Sequence, residues 1–202
     1  MKLYYIPMSC SLAVHIALRK AGVAPELVRY DPATGKTEDG QLFRDDYPKG
    51  YVPALIDQDG DMLTEVLSIM LELDARYPHA KLLPDIGVER RRAIEWLAYT
   101  ATELHKSFAA SLFFETEAGA DSEAVRKKIA LRFDLVAQQL SSDKVFLLGD
   151  ELTAVDSYLL VVLLWTAPAK VDLGRWPQLI AYRDRMLEQP MVIAAMKAEG
   201  LL

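Results

Sequence analysis

The chain changes character near residue 80. Strand and helix signals alternate through residues 1–79, and helical signals alone fill residues 87–202, with a linker at 80–86 inside the proline- and glycine-bearing stretch 78–87. That division predicts a small mixed α/β domain followed by an all-helical bundle. Lys2-Leu3-Tyr4-Tyr5 reads as a strand, Pro7 to Ser11 as a turn, and Leu12 to Ala21 as a helix stopped by Gly22. Glu26 to Tyr30 alternates as a second strand, and the polar stretch Asp31–Asp39, with Pro32 and Gly35, reads as a loop. A short helix is weakly signalled over Gln41–Asp46. Val52–Asp57 and Met62-Leu63 flank Asp59-Gly60, a hairpin signal. Apolar residues at 66, 69, 70 and 73 then have helical spacing. The predicted order is βαβαββα.

Beyond the linker, residues 88–114 read as one long helix and 121–140 as another, capped by Asp121 or Ser122. Thr153-Ala154-Val155-Asp156 has the form of a capping box, with aspartate in the usual place of glutamate. It precedes Tyr158–Trp165, whose residues are too apolar for a surface face, so this helix is predicted at the centre of the bundle. Arg175–Glu188 and Met191–Glu199 complete it.

Bulk properties exclude several functions. The 202 residues carry 23 basic and 29 acidic side chains, for a net charge of −6, with no basic block, which argues against a nucleic-acid partner. A single cysteine forms no internal disulfide and fits a reducing compartment. The first residues lack a secretory apolar region, and the longest apolar run, eight residues at Tyr158–Trp165, falls short of the ~20 that span a bilayer. A soluble cytoplasmic protein is expected. Three scattered histidines and one cysteine offer no metal-ligand spacing.

Cys10 stands where the first strand turns into the first helix. A thiol there meets unpaired N–H groups and the positive end of the helix dipole, both of which favour the reactive thiolate. The competing reading is a small inert core residue. Val52-Pro53 is either an edge-strand proline or a cis proline that presents the Val52 N–H and C=O to a bound main chain. Glu65 either binds an ammonium group or is an ordinary acid of a helix start, with Thr64 as cap. His105-Lys106 either supplies positive field to a nearby thiol or lies on a solvated helix face, where Glu103 pairs with Lys106. His15 reads as a packing residue and His79 as an exposed linker residue.

These residues, in this order and spacing, resemble glutathione S-transferases, most closely the bacterial beta class. The likeness runs through Cys10-Ser11-Leu12-Ala13, Val52-Pro53-Ala54-Leu55, Leu63-Thr64-Glu65, Ile94-Glu95-Trp96-Leu97, Thr102-Glu103-Leu104-His105-Lys106 and Ala198-Glu199-Gly200-Leu201, and so spans the chain. The resemblance implies a thioredoxin-like N-terminal domain, a helical C-terminal domain, a homodimer and a cis Pro53. It implies glutathione as co-substrate, with its sulfur at Cys10, bound by Lys36, Val52, Pro53, Glu65, Val66, Thr102, Glu103, Leu104 and His105. Cys10, His105 and Lys106 are the implied catalytic residues, acting on a small electrophile or a disulfide. Tyr99, Phe108, Phe113, Phe114 and Trp165 are expected to line the electrophile's cleft.

The chain also departs from the family pattern. Val66 replaces a serine or asparagine, Tyr51 a lysine or glutamine, and Ala98 an asparagine, while Gly35 takes the place of a lysine that Lys36 follows by one step. A hydrogen bond to a charged group is worth about 1.5–3 kcal/mol, so losing two weakens binding about a hundredfold or more. These substitutions define the alternative: a binding or regulatory protein that keeps the fold with weak or lost glutathione affinity. A different thiol substrate, taken up by Tyr47 and Tyr51, is the third reading.

Overall fold

The computed structural model describes residues 1–108, 123–140 and 144–202. They form two compact units, one of residues 1–82 with 190–202, the other of residues 83–189.

In the first unit the strands are β1 (Lys2–Tyr5), β2 (Glu26–Asp31), β3 (Lys36–Thr37), β4 (Ala54–Ile56) and β5 (Met62–Thr64). The helices are α1 (Ser11–Lys20), α2 (Phe43–Asp46) and α3 (Val66–Arg76). The sheet order is β3-β2-β1-β4-β5; β1 runs parallel to β2 and antiparallel to β4. The βαβ crossover through α1 makes the first pair parallel, and the tight turn at Asp59-Gly60 makes β4–β5 a hairpin. Gly60 takes φ +90°, a conformation that glycine adopts without a steric penalty. Strand alternation sorts the side chains. Tyr4, Val28, Tyr30 and Ala54 share one face with Phe43, Tyr47 and Val52. Leu3 and Leu55, paired in register, take the other, which α1 and α3 cover.

Two details differ from the sequence prediction. The expected loop 31–39 contains β3, two residues paired to the end of β2 after a turn at Gly35. So short a strand has no periodicity to read. The fourth strand begins at Ala54 rather than Val52, because Pro53 has no N–H for the ladder.

In the second unit α4 (Gly87–Tyr99) runs into a π-helical turn at Thr100–His105, and helical residues continue to Phe108. The expected single α-helix is therefore interrupted, and the end expected at residue 114 lies outside the described residues. Next come α5 (Glu123–Gln139), α6 (Ala154–Leu164) and α7 (Pro177–Leu187). The predicted caps Asp121 and Ser122 also lie outside them. Helix α6 is buried from Ala154 through Leu163, as its composition predicts. Phe108 and Trp165, expected along a cleft, are core residues here, exposed by only 0% and 2%. Phe108 packs on Phe133 with ring centroids 5.9 Å apart. Tyr99 is half-buried; Phe113 and Phe114 are outside the described residues.

The last helix, α8 (Pro190–Ala198), belongs to the first unit, where it packs on α1. The sequence places these residues with the bundle, because a helical period says nothing about which partner receives its apolar face. With α8 on one side and α3 on another, α1 is buried from Ser11 through Leu18.

Candidate active site

Cys10 is the N-cap residue of α1 and is 8% exposed. Its Sγ–H donates to the Val52 carbonyl at 3.4 Å. The turn before it is fixed by side-chain hydroxyls. Ser9 Oγ and Ser11 Oγ are 2.8 Å apart, and Ser11 Oγ both donates to Ile6 O and accepts from Ile6 N–H. Met8 takes φ +64° in the same turn. Val52–Pro53 is a cis peptide, as the resemblance implies. The cysteine turn and the proline bend thus meet at one carbonyl.

Tyr51 precedes Val52 and reaches the far edge of the sheet, where its hydroxyl donates to Glu65 Oε1 at 2.8 Å. Glu65 links β5 to α3 at φ +67°, a sparsely populated conformation for a residue with a Cβ. It is the N-cap of α3 in place of the expected Thr64. Thr64 instead ends β5 and accepts a bond from Lys49 Nζ at 3.0 Å. Lys49 Nζ also lies 3.9 Å from Glu65 Oε1. Val66, the first residue of α3, is buried and offers one of the helix's initial N–H groups. Lys36 stands apart: it is on β3, with β2, β1 and β4 between it and β5.

Behind Cys10 lies a pair that the sequence does not show. His15, read as packing, is fully buried and bonds Glu199 Oε1 through Nδ1 at 2.9 Å. Arg19 Nε–H donates to His15 Nε2 at 3.1 Å, which puts the ring proton on Nδ1. Burial pushes the Glu199 carboxyl up; the bond from His15 and the Met8 N–H act against that shift. The pairing spans 184 positions, and no local pattern announces it.

In the second unit the π turn carries Thr102, Glu103, Leu104 and His105, with Lys106 just after it. Single π turns are frequent at functional sites. Leu104 is buried, and Thr102 donates to Ala98 O at 3.0 Å. His105 Nδ1 lies 2.7 Å from Tyr158 Oη, and its ring stands edge-on to Trp165 with centroids 4.9 Å apart. Glu103 pairs with Arg132 on α5 rather than with Lys106. Thr102, Glu103, Lys106, Ser107, Lys128 and Arg132 border a shallow pocket of about 240 Å³. Among the described residues no cluster of histidine, cysteine and acidic side chains could hold a metal.

A sulfur stands at the start of α1 against the cis-proline bend, and the Glu65 carboxylate stands at the start of α3, all in the first unit. The family models agree in both units: the glutathione S-transferase N-terminal domain matches residues 3–81 and the C-terminal domain matches residues 93–190. The chain belongs to the glutathione S-transferase family. With membership come the transferase class and glutathione as co-substrate. The chain is 39% identical to glutathione S-transferase GstA of Escherichia coli O157:H7 over all of both chains. It is similar to the bacterial beta-class glutathione S-transferase of Sphingomonas chungbukensis, with a TM-score of 0.91 and 39% identity over all of both chains. A sphingomonad glutathione S-transferase complexed with glutathione gives a TM-score of 0.88 and 35% identity, again over all of both. With full-length relatives named as transferases, the reading of a fold that has lost its enzyme role is not favoured. Among the described residues no helix is long and apolar enough to cross a membrane.

Proposed function

We propose that this transferase works through Cys10, conjugating glutathione to small electrophiles and exchanging disulfides at that sulfur. The observation that carries the proposal is the bond from Cys10 Sγ to Val52 O at 3.4 Å. Val52 O is also the acceptor that a peptide laid against the proline bend would claim through its own N–H. Seating such a ligand frees the Cys10 sulfur, and the first N–H groups of α1 then favour its thiolate. In the exchange step, the Cys10 thiolate attacks one sulfur of oxidised glutathione. A new S–S bond forms as the old one breaks, and the second glutathione leaves as a thiolate.

Glu65 receives the ligand's ammonium, and the Val66 N–H and the Val52–Pro53 segment orient its main chain. Lys36, Thr102, Glu103, Leu104, His105 and Lys106 carry the binding and field-supplying roles that the family resemblance implies for them. A homodimer in the cytoplasm, with no nucleic acid or membrane as partner, belongs to the same proposal.

Mass spectrometry of the folded protein after incubation with oxidised glutathione tests it. One adduct of a single glutathione is expected on the wild type and none on Cys10→Ala. A wild type without an adduct removes Cys10 from the chemistry.

A further inference from the structure

By residue type alone, Tyr51 is the loss of a polar side chain beside the proline bend. The structure gives it a different part. Its ring packs edge-on against Tyr47, with centroids 6.0 Å apart, and Tyr47 in turn packs against buried Phe43 at 5.4 Å. The phenol is thereby aimed from the aromatic face of the sheet, and it donates to Glu65 Oε1 at 2.8 Å. The other contact to this carboxylate, from Lys49 at 3.9 Å, falls on the same oxygen. Among the described residues no bond to Oε2 accompanies them. The Glu65 side chain is 59% exposed and sits on a backbone at φ +67°. A long, exposed carboxylate samples many rotamers; one held by a rigid aromatic donor does not. The Glu65 carboxylate also pushes the Tyr51 phenol up to about 12, so Tyr51 remains an O–H donor throughout the neutral and mildly alkaline range.

We propose that Tyr51 is a specificity-determining residue. It fixes Glu65 through one oxygen and leaves the other for the free ammonium of a γ-glutamyl thiol, so that the site selects against thiols whose amine is blocked. This rests on Glu65 being the ammonium anchor in the function proposed above. Val66 has no side-chain donor to share the task, and Lys49 lies 3.9 Å away, so the 2.8 Å bond from Tyr51 is the closer hold on this carboxylate.

The test is calorimetric titration of wild type and Tyr51→Phe with glutathione and with N-acetylglutathione. Wild type is expected to bind glutathione about tenfold or more tightly than the acetylated ligand. Tyr51→Phe is expected to weaken glutathione severalfold and leave N-acetylglutathione unchanged, so that the preference shrinks to about twofold. Tyr51 is 46% exposed, so the substitution leaves the core intact. Tyr51→Gln, which keeps a donor of shorter reach, is expected to fall between the two. Equal weakening of both ligands, or no change in either, overturns the proposal and makes Tyr51 a packing residue or a bystander. A wild type that binds both ligands equally instead removes Glu65 as the ammonium anchor, and the proposal falls with that reading.

Discussion

Two of the buried carboxylates, Asp156 in one unit and Glu199 in the other, are satisfied in opposite ways. Asp156 in α6 accepts four hydrogen bonds: Leu147 N–H and Tyr182 O–H reach Oδ1 at 2.9 and 2.8 Å, and the Thr153 N–H and O–H reach Oδ2 at 2.7 and 2.8 Å. Glu199 after α8 has His15 on one oxygen, while Oε2 is buried with no hydrogen bond of good geometry. Burial is the largest influence on both and pushes both carboxyls up. Asp156 meets that cost with neutral donors from three segments. Glu199 meets it with one ring, itself held by Arg19, and with the Met8 N–H. The first is a hub joining a helix start, a loop and α7; the second is a strut between two helices.

If Asp156 is the hub, its removal should have the largest effect. Asp156→Ala leaves several buried donors without an acceptor and is expected to cost about 4 kcal/mol, read as the shift of the urea midpoint at unchanged slope. A loss below about 1 kcal/mol would erase the contrast with Glu199. Tyr182→Phe takes away one arm and should cost about 2 kcal/mol, the worth of a hydrogen bond to a charged group.

Glu199→Gln sharpens the comparison by its pH dependence and should cost only about 1 kcal/mol at neutral pH, because the amide still accepts from His15. The Glu199 carboxyl is raised above its ordinary 4.5 in the folded state, so protons favour folding through this group. Its contribution is complete below pH 4.5 and is lost as pH rises through the folded value. Urea denaturation across this range should show wild type losing stability relative to Glu199→Gln as pH increases. An opposite slope would mean that His15 outweighs burial.

The same contrast shows what could be read from the sequence. Thr153 and Asp156 are three positions apart, and that spacing by itself announces a cap. The apolar run after them fixes α6 as the centre of its unit, and Asp59-Gly60 fixes the hairpin. Cys10 and Glu65 also lie at readable punctuation, each at a helix start, and Val52 is marked by the proline that follows it. The unread features are those whose partners are remote or whose signal is too brief. His15 and Glu199 are distant in sequence, and nothing near either one points to the other. Strand β3 is two residues long. The π turn at Thr100–His105 closes its hydrogen bonds over one residue more than an α-helix does, which hydrophobic spacing cannot resolve over so short a stretch. Tyr51 is the instructive miss: judged by type at one position it is a lost polar group, whereas its hydroxyl finds Glu65 fourteen positions away.

The placement of residues 190–202 beside α1 has a consequence for how the molecule is made. Chains emerge from the ribosome from the amino end, and early domains commonly finish folding while later ones are still being translated. Here the unit that holds Cys10 cannot bury its first helix on every side until the intervening 83–189 stretch has been synthesised. The nascent α1 must wait, partly covered, for the helix that follows the bundle.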